Sequence, residues 1–236
     1  MEKKLTAEQI TIIEETLVLN GLKFDDLKLE LTDHIASEIE EMMNTNMLSF
    51  EENLKLVFNK WSEQLRPSYS FWINSNNNLF WFTKTELNPS LVTYKCNKLV
   101  KKVLSLSIII GILISILLTV ATRNWHNEII LNYLKSGFRI VCFAIFILFV
   151  FVRFRIWKSK HNTTYGYLFK RNGFIQIINL FFLSMGIFPF RIYNGNFSLD
   201  LAFNSLSLII LFVSVFYLKV AYNHIQFDKK LSLYNS

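Results

Sequence analysis

Nineteen consecutive residues, Val103 to Ala121, carry no charge and read VLSLSIIIGILISILLTVA. At about 1.5 Å per residue, a helix of that length crosses a hydrocarbon core of about 30 Å. Three more apolar blocks follow, about Gly137 to Val152, Gly173 to Phe190 and Leu201 to Leu218, whereas the chain before Val103 holds none. The expected fold class is all-α, with a small cytoplasmic three-helix module followed by a four-helix transmembrane bundle. The expected division is an acidic module at 1–66, an aromatic and basic interfacial linker at 67–102, four spans within 103–221 and a cytoplasmic tail at 222–236.

The second block is the shortest. Its uncharged core, Ile140 to Val152, has thirteen residues, so it spans only if Arg139 and Arg153 extend their stems toward opposite interfaces. In the alternative arrangement this segment lies in the interface and three spans remain.

Composition supports the membrane reading. Hydrophobic residues make up 52% and Phe alone contributes 23, while Gly (7) and Pro (3) are scarce, as long helices with few turns require. The abundance of Phe, Ile, Asn and Lys suits an AT-rich bacterial genome. Cys96 lies beside the first span and Cys142 inside the second, and no CxxC is present, so neither a structural disulfide nor a thiol metal site is expected. MEKKLTAEQI lacks the apolar core of a cleavable signal, which leaves the first span as the insertion signal.

The net charge of +7 conceals two opposite halves. Residues 1–66 hold seven Lys and Arg against fourteen Asp and Glu, a net −7; the remainder is +14. The basic residues cluster at span ends: Lys95, Lys98, Lys101 and Lys102 before the first, Arg153 to Arg171 between the second and third, and Lys219, Lys229 and Lys230 after the fourth. By the positive-inside rule these flanks face the cytoplasm of a bacterial inner membrane, which puts both termini inside. Trp125, Tyr133 and Tyr193 fall at the outer interface, and Tyr94, Trp157, Tyr165 and Tyr222 at the inner one. The basic charge is thus assigned to topology and anionic headgroups rather than to nucleic acid.

No Asp, Glu, Lys or His lies near the middle of a span, where transporters and proton channels place them. Gln176 and Asn179 stand one turn apart on the third span and Asn204 lies on the fourth. Such amides commonly bond between helices; the sharper alternative is a polar ligand pocket shared by all three. Ser107, Gly111 and Ser115 recur every four residues on the first span, a small-residue row that lets another helix approach closely, within the bundle or in a homo-oligomer. Pro189 is expected to end or bend the third span.

Within 1–66 three helices are predicted. Thr6 to Gln9 and Ser49 to Glu52 have capping-box spacing, Gly21 is placed to stop the first helix, and Arg66-Pro67 closes the third. The second runs from about Asp25 to Met43 with Leu27, Leu31, Ile35, Ile39 and Met42 on one arc. Glu38 falls inside that arc and His34 at its edge. A buried carboxylate needs a partner, supplied by His34, by a cation of another helix or by a docking protein. Glu30, His34 and Glu38 make a poor zinc set without a second His or any Cys, so the group is read as a charge and hydrogen-bond cluster.

Glu30-x-x-Asp33-His34-Ile35, an acidic helix end, a short linker and a Ser-capped helix together resemble the HAAS signalling-domain family over about residues 5–66. Members are small helical modules at the amino termini of bacterial multi-span membrane proteins. The chain departs from relatives in having Asn44 to Leu48 where they often carry Gly, and Asn53 where they often carry Ala. The resemblance implies a cytoplasmic interaction module joined to a membrane-embedded sensor, and it brings no catalytic residues. Partner docking is expected at Glu30, Asp33, His34, Glu38 and Glu41.

The aromatic stretch from Tyr69 to Phe82, followed by mostly basic residues from Lys84 to Lys102, reads as a segment lying on the inner leaflet. The chain has no P-loop, dinucleotide fingerprint, HExxH or GxSxG, and its four His are scattered. The expected function is therefore non-enzymatic signalling or interaction, without metal or cofactor. Its expected partners are the lipid bilayer and either a cytoplasmic regulatory protein or the chain's own loop from Arg153 to Arg171. An accessory subunit or small carrier of a transport system is the alternative.

Overall fold

The structure is a computed structural model, which describes residues 4–46, 48–69, 87–123, 128–188, 190–191 and 196–234. Seven helices account for most of them: α1 (Ala7–Leu19), α2 (Asp25–Thr45), α3 (Phe50–Leu65), α4 (Ser90–Thr122), α5 (Glu128–Trp157), α6 (Thr164–Met185) and α7 (Phe197–Tyr234). The aromatic stretch from Phe71 to Phe82, together with Lys84, Trp125, Pro189 and Tyr193, lies outside the described residues. The chain divides into two compact units. One comprises Met1–Lys98 and Lys160–Thr164, the other Leu99–Ser159 and Tyr165–Ser236.

In the first unit the local signals fold as the sequence indicates. Thr6 and Gln9 bond each other's backbone amides at 3.3 and 2.9 Å, and Ser49 and Glu52 do the same at 3.3 and 2.9 Å, so α1 and α3 each open on a capping box. Gly21, at φ 87°, turns the chain so that the Leu22 amide reaches the Leu17 carbonyl at 3.1 Å and stops α1. The turn between α2 and α3 is closed by a pair of amides. Asn46 donates to Asn53 Oδ1 at 2.9 Å, and Asn53 donates back at 3.3 Å and to the Ser49 carbonyl at 3.0 Å. Buried Asn53 thus fixes the turn into α3 through its side-chain amide.

Ile13 and Leu17 of α1, Leu27, Leu31, Ile35 and Ile39 of α2, and Phe50, Val57 and Leu65 of α3 are buried. Each side chain of this size contributes about 1.5–3 kcal/mol when removed from water. Val92 and Cys96, on the opening turns of α4, are buried as well, and Ser90–Lys98 falls within this unit. Two short strands, β1 (Pro67–Ser68) and β2 (Asn88–Pro89), pair antiparallel just before it. The Ser90 hydroxyl then donates to the Glu63 and Gln64 carbonyls at 2.8 and 2.9 Å, satisfying acceptors that the end of α3 leaves open.

In the second unit neighbouring helices run antiparallel, as the paired residue numbers show. Ser115 meets Ser205 at 2.6 Å between α4 and α7; Asn172 meets Tyr217 at 2.9 Å and Gln176 meets Ser214 at 3.1 Å between α6 and α7. Between α5 and α6, Phe149 stacks on Phe169 with centroids 4.7 Å apart, and Phe146 packs on Phe181 at 5.9 Å. The small-residue row of α4 serves the contact with α7. Ser107 and Ser115 are fully buried, and a Cβ on Gly111 would stand 2.7 Å from Ile209 Cγ1 and 3.0 Å from its backbone nitrogen.

Among the described residues, three helices are long and apolar enough to cross a membrane: α4, α5 and α7. The second block, the shortest by uncharged length, is one of them because α5 continues for 30 residues from Glu128 to Trp157. The third block behaves differently. The helix expected to run to Phe190 ends at Met185, where Gly186 takes φ 74° and the Ile187 amide turns back to the Phe182 carbonyl at 3.0 Å. Lys170 and Arg171 lie within α6, so the part free of charge and beyond Asn172 is Gly173 to Met185, about 20 Å of helix, and it includes Gln176 and Asn179.

Candidate docking and coupling site

α2 begins without a side-chain cap, because its N-cap residue is Phe24. The first four amides of a helix have no partner within it, so an uncapped start must find acceptors elsewhere. It finds them in the loop between α5 and α6. The Asp25 amide donates to the Asn162 carbonyl at 2.7 Å, and the Asn162 amide donates to Asp25 Oδ2 at 2.8 Å. The Thr164 amide donates to Asp26 Oδ1 at 2.9 Å, and the Thr164 hydroxyl donates to the other oxygen of the same carboxylate. His161 Nδ1 lies 3.6 Å from Asp25 Oδ2.

Thr164 is the first residue of α6, so two helix starts share one pair of carboxylates. Each start carries the positive end of a helix dipole, and Asp25 and Asp26 supply the negative charge that lets them converge. Asp26 is buried, as are Thr163 and Thr164. The contact is built from hydrogen bonds to a loop backbone and a hydroxyl rather than from the Lys and Arg of that loop; Lys160 itself is exposed. The docking residues expected from the sequence, Glu30 to Glu41, lie further along α2 and do not include Asp25 or Asp26. The available signal was Phe24 at a position where Ser, Thr, Asp or Asn normally stands.

The five acidic-face residues expected to dock a partner are distributed as follows. Glu30 pairs with Lys95 of α4 at 2.8 Å, while Asp33, His34 and Glu41 are exposed. Glu38 is engaged by α3: Lys60 pairs with one carboxylate oxygen and Trp61 Nε1 donates to the other at 3.2 Å. Burial disfavours the charge on Glu38, but the hydrogen bonds from Lys60 and Trp61 and the Lys60 charge outweigh it, holding the carboxyl below its ordinary value. Glu52 is also held low, by the Ser49 amide and hydroxyl of its capping box. Among the described residues no group of three or more His, Cys, Asp or Glu is placed to hold a metal ion.

The intramembrane amides do not gather. Asn204 donates to Thr119 of α4 at 3.2 Å and accepts from the Arg191 amide at 2.9 Å. Gln176 instead accepts from Ser214, ten residues along α7 from Asn204, or about 15 Å of helix. Gln176 and Asn204 thus form bonds between helices rather than one shared site: Asn204 belongs to the α4–α7 seam and Gln176 to the α6–α7 seam, with Asn179 half-buried on α6. The reason lies in helical phase, which sets Asn204 toward Thr119 and leaves Ser214 as the α7 residue facing Gln176.

Three long apolar helices fit a multi-pass membrane protein. No protein-family model matches the chain, and no curated protein or solved structure matches it significantly.

Proposed function

We propose that the protein is a non-enzymatic signalling or interaction protein of a bacterial inner membrane, whose acidic helical module docks a cytoplasmic partner and is coupled to the spans through the loop at 160–164. The observation that carries this reading is the reciprocal bonding of Asp25 and Asp26 with Asn162 and Thr164. That loop is the direct connection between α5 and α6, so a shift in either helix pulls on the first turn of α2. The HAAS-like pattern of residues 5–66 supports the docking role, and exposed Asp33, His34 and Glu41 keep part of the acidic face accessible.

In this arrangement α6 supplies a fourth crossing and both termini are cytoplasmic. The charge pattern around the spans supports it, as do the aromatic contacts that run beside α5 from Phe169 to Phe190.

The test is crosslinking in native membranes from a photoreactive residue at Glu41, with and without Asp26→Asn. Capture of one specific soluble protein, with a yield that changes when Asp26 is altered, is the expected result. Capture of lipid alone, or a yield indifferent to Asp26, overturns the coupling.

A further inference from the structure

The carboxyl end of α5 carries an apolar face that runs straight into positive charge. Ile147, Phe151, Phe154 and Lys158 follow one another at i, i+4, i+7 and i+11, so they form a single row along the helix and its end. The row is open: Phe151 is 61% exposed and Phe154 52%, with Trp157 beside them at 73%. Of the three helices long and apolar enough to span among the described residues, α5 has the least covered apolar window, 17% buried against 28% and 33%. Phe154 and Trp157 stand 6.2 Å apart between ring centroids, and Lys158 Nζ lies 4.5 Å above the Phe154 ring. That contact holds the ammonium at the foot of the row. Arg155, exposed and four residues after Phe151, sets a second cation on its flank.

We infer that this face is a binding site for an anionic phospholipid, with an acyl chain lying along Ile147, Phe151 and Phe154 and the phosphate held by Arg155 and Lys158. Such a site goes beyond the proposed function and requires only that α5 crosses a bilayer. Apolar length and charge together select the occupant. A row that is apolar for about 10 Å and then cationic matches a hydrocarbon chain ending in a phosphodiester. A guanidinium can give a phosphate two parallel hydrogen bonds, and an amphipathic ring such as Trp157 favours the headgroup level. A zwitterionic lipid brings an ammonium that the same cations repel, and a second copy brings the same cations to the contact. Residues 153–171 hold six Lys and Arg and no Asp or Glu. Asp25 and Asp26 bond to Asn162 and Thr164, and Asp228 accepts from the Ser159 hydroxyl at 2.9 Å; with all three counted the stretch remains positive. Arg153 takes no part, because its guanidinium donates to the Lys170 carbonyl at 2.8 Å. The α5 dipole places its negative end here, so the two side chains, not the helix end, supply the attraction.

The experiment reconstitutes the full-length protein in phosphatidylcholine bilayers containing a trace of phosphatidylglycerol with a diazirine in its acyl chain, and maps the attachment sites by peptide mass spectrometry. Attachment along 147–158 is expected to exceed that of a phosphatidylcholine probe with the same tail at least fivefold. Arg155→Gln with Lys158→Gln should abolish that preference. Lys101→Gln with Lys102→Gln removes the same charge at the start of the α4 apolar run and should change it less than twofold. Equal losses from both pairs, or equal attachment of the two probes, overturn the site. So does a protein–protein adduct from a photoreactive residue at Phe151, which gives the face to a second copy. None of these outcomes touches the Asp26-dependent capture from Glu41, so this inference and the proposed function fail separately.

Discussion

Asp26 and Thr164, 138 residues apart, share two hydrogen bonds, one from the Thr164 amide at 2.9 Å and one from its hydroxyl, each to a separate oxygen of the same buried carboxylate. Removing that carboxylate leaves a buried donor pair at the start of α6 and strips charge from two helix dipoles at once. Asp26→Ala is expected to cost about 2–4 kcal/mol, from one cap and one unsatisfied buried group. Hydrogen exchange should speed up first at the Thr164 amide and the opening turn of α2, with α3 unaffected. Uniform acceleration throughout the first unit would show that the bond is not a local latch.

Glu38 gives the first unit a dependence on pH. Its carboxyl is held below the ordinary 4.5 in the folded state, so its contribution is fully present above the unfolded value and is lost as pH falls through the lowered folded one. The stability difference between the native protein and Glu38→Gln should therefore be constant near neutrality and shrink below about pH 4.5. Denaturant unfolding of both at pH 7 and pH 3.5 checks this; a gap that widens in acid contradicts the assigned sign.

Gly111 and Gly137 form a matched pair for the second unit. A Cβ on Gly111 meets the backbone of Ile209 at 3.0–3.1 Å, where nothing flexible can yield, while a Cβ at Gly137 meets nothing within 4 Å. Gly111→Ala should destabilise the α4–α7 contact by about 1–3 kcal/mol. Gly137→Ala should be neutral or slightly stabilising, since Ala is the better helix former by about 1 kcal/mol. Resistance to unfolding in detergent compares the two, and equal behaviour would mean that α4 and α7 do not pack along this row.

Topology is tested with single cysteines. In a Cys96→Ala, Cys142→Ala background, Lys4→Cys and Ser232→Cys should be shielded from a membrane-impermeant thiol reagent in intact cells, and Ser198→Cys should be labelled. Labelling of Ser232→Cys with Lys4→Cys protected would mean that α6 does not cross and that α7 begins on the cytoplasmic side.

Local chemistry set most of what was legible in the chain. The two capping boxes, the stop at Gly21 and the buried arc from Leu27 to Ile39 depend on residues within a turn or two of one another, and the length of an apolar run decides by itself whether a helix can cross a bilayer. The close α4 seam was legible for the same reason, because a row of Ser107, Gly111 and Ser115 has no side chain to hold a neighbour away, although the identity of that neighbour was not written there. What tertiary structure decided is where polar groups far apart in sequence meet. Asn204 turned toward Thr119 and away from Gln176 because neighbouring helices fix its rotation. Glu38 took Lys60 rather than His34 because α3 packs against that face. The unsatisfied start of α2 found Asn162 because only the folded chain brings that loop within hydrogen-bond distance: a helix end states in sequence that it lacks a partner, and folding alone selects which carbonyl supplies it.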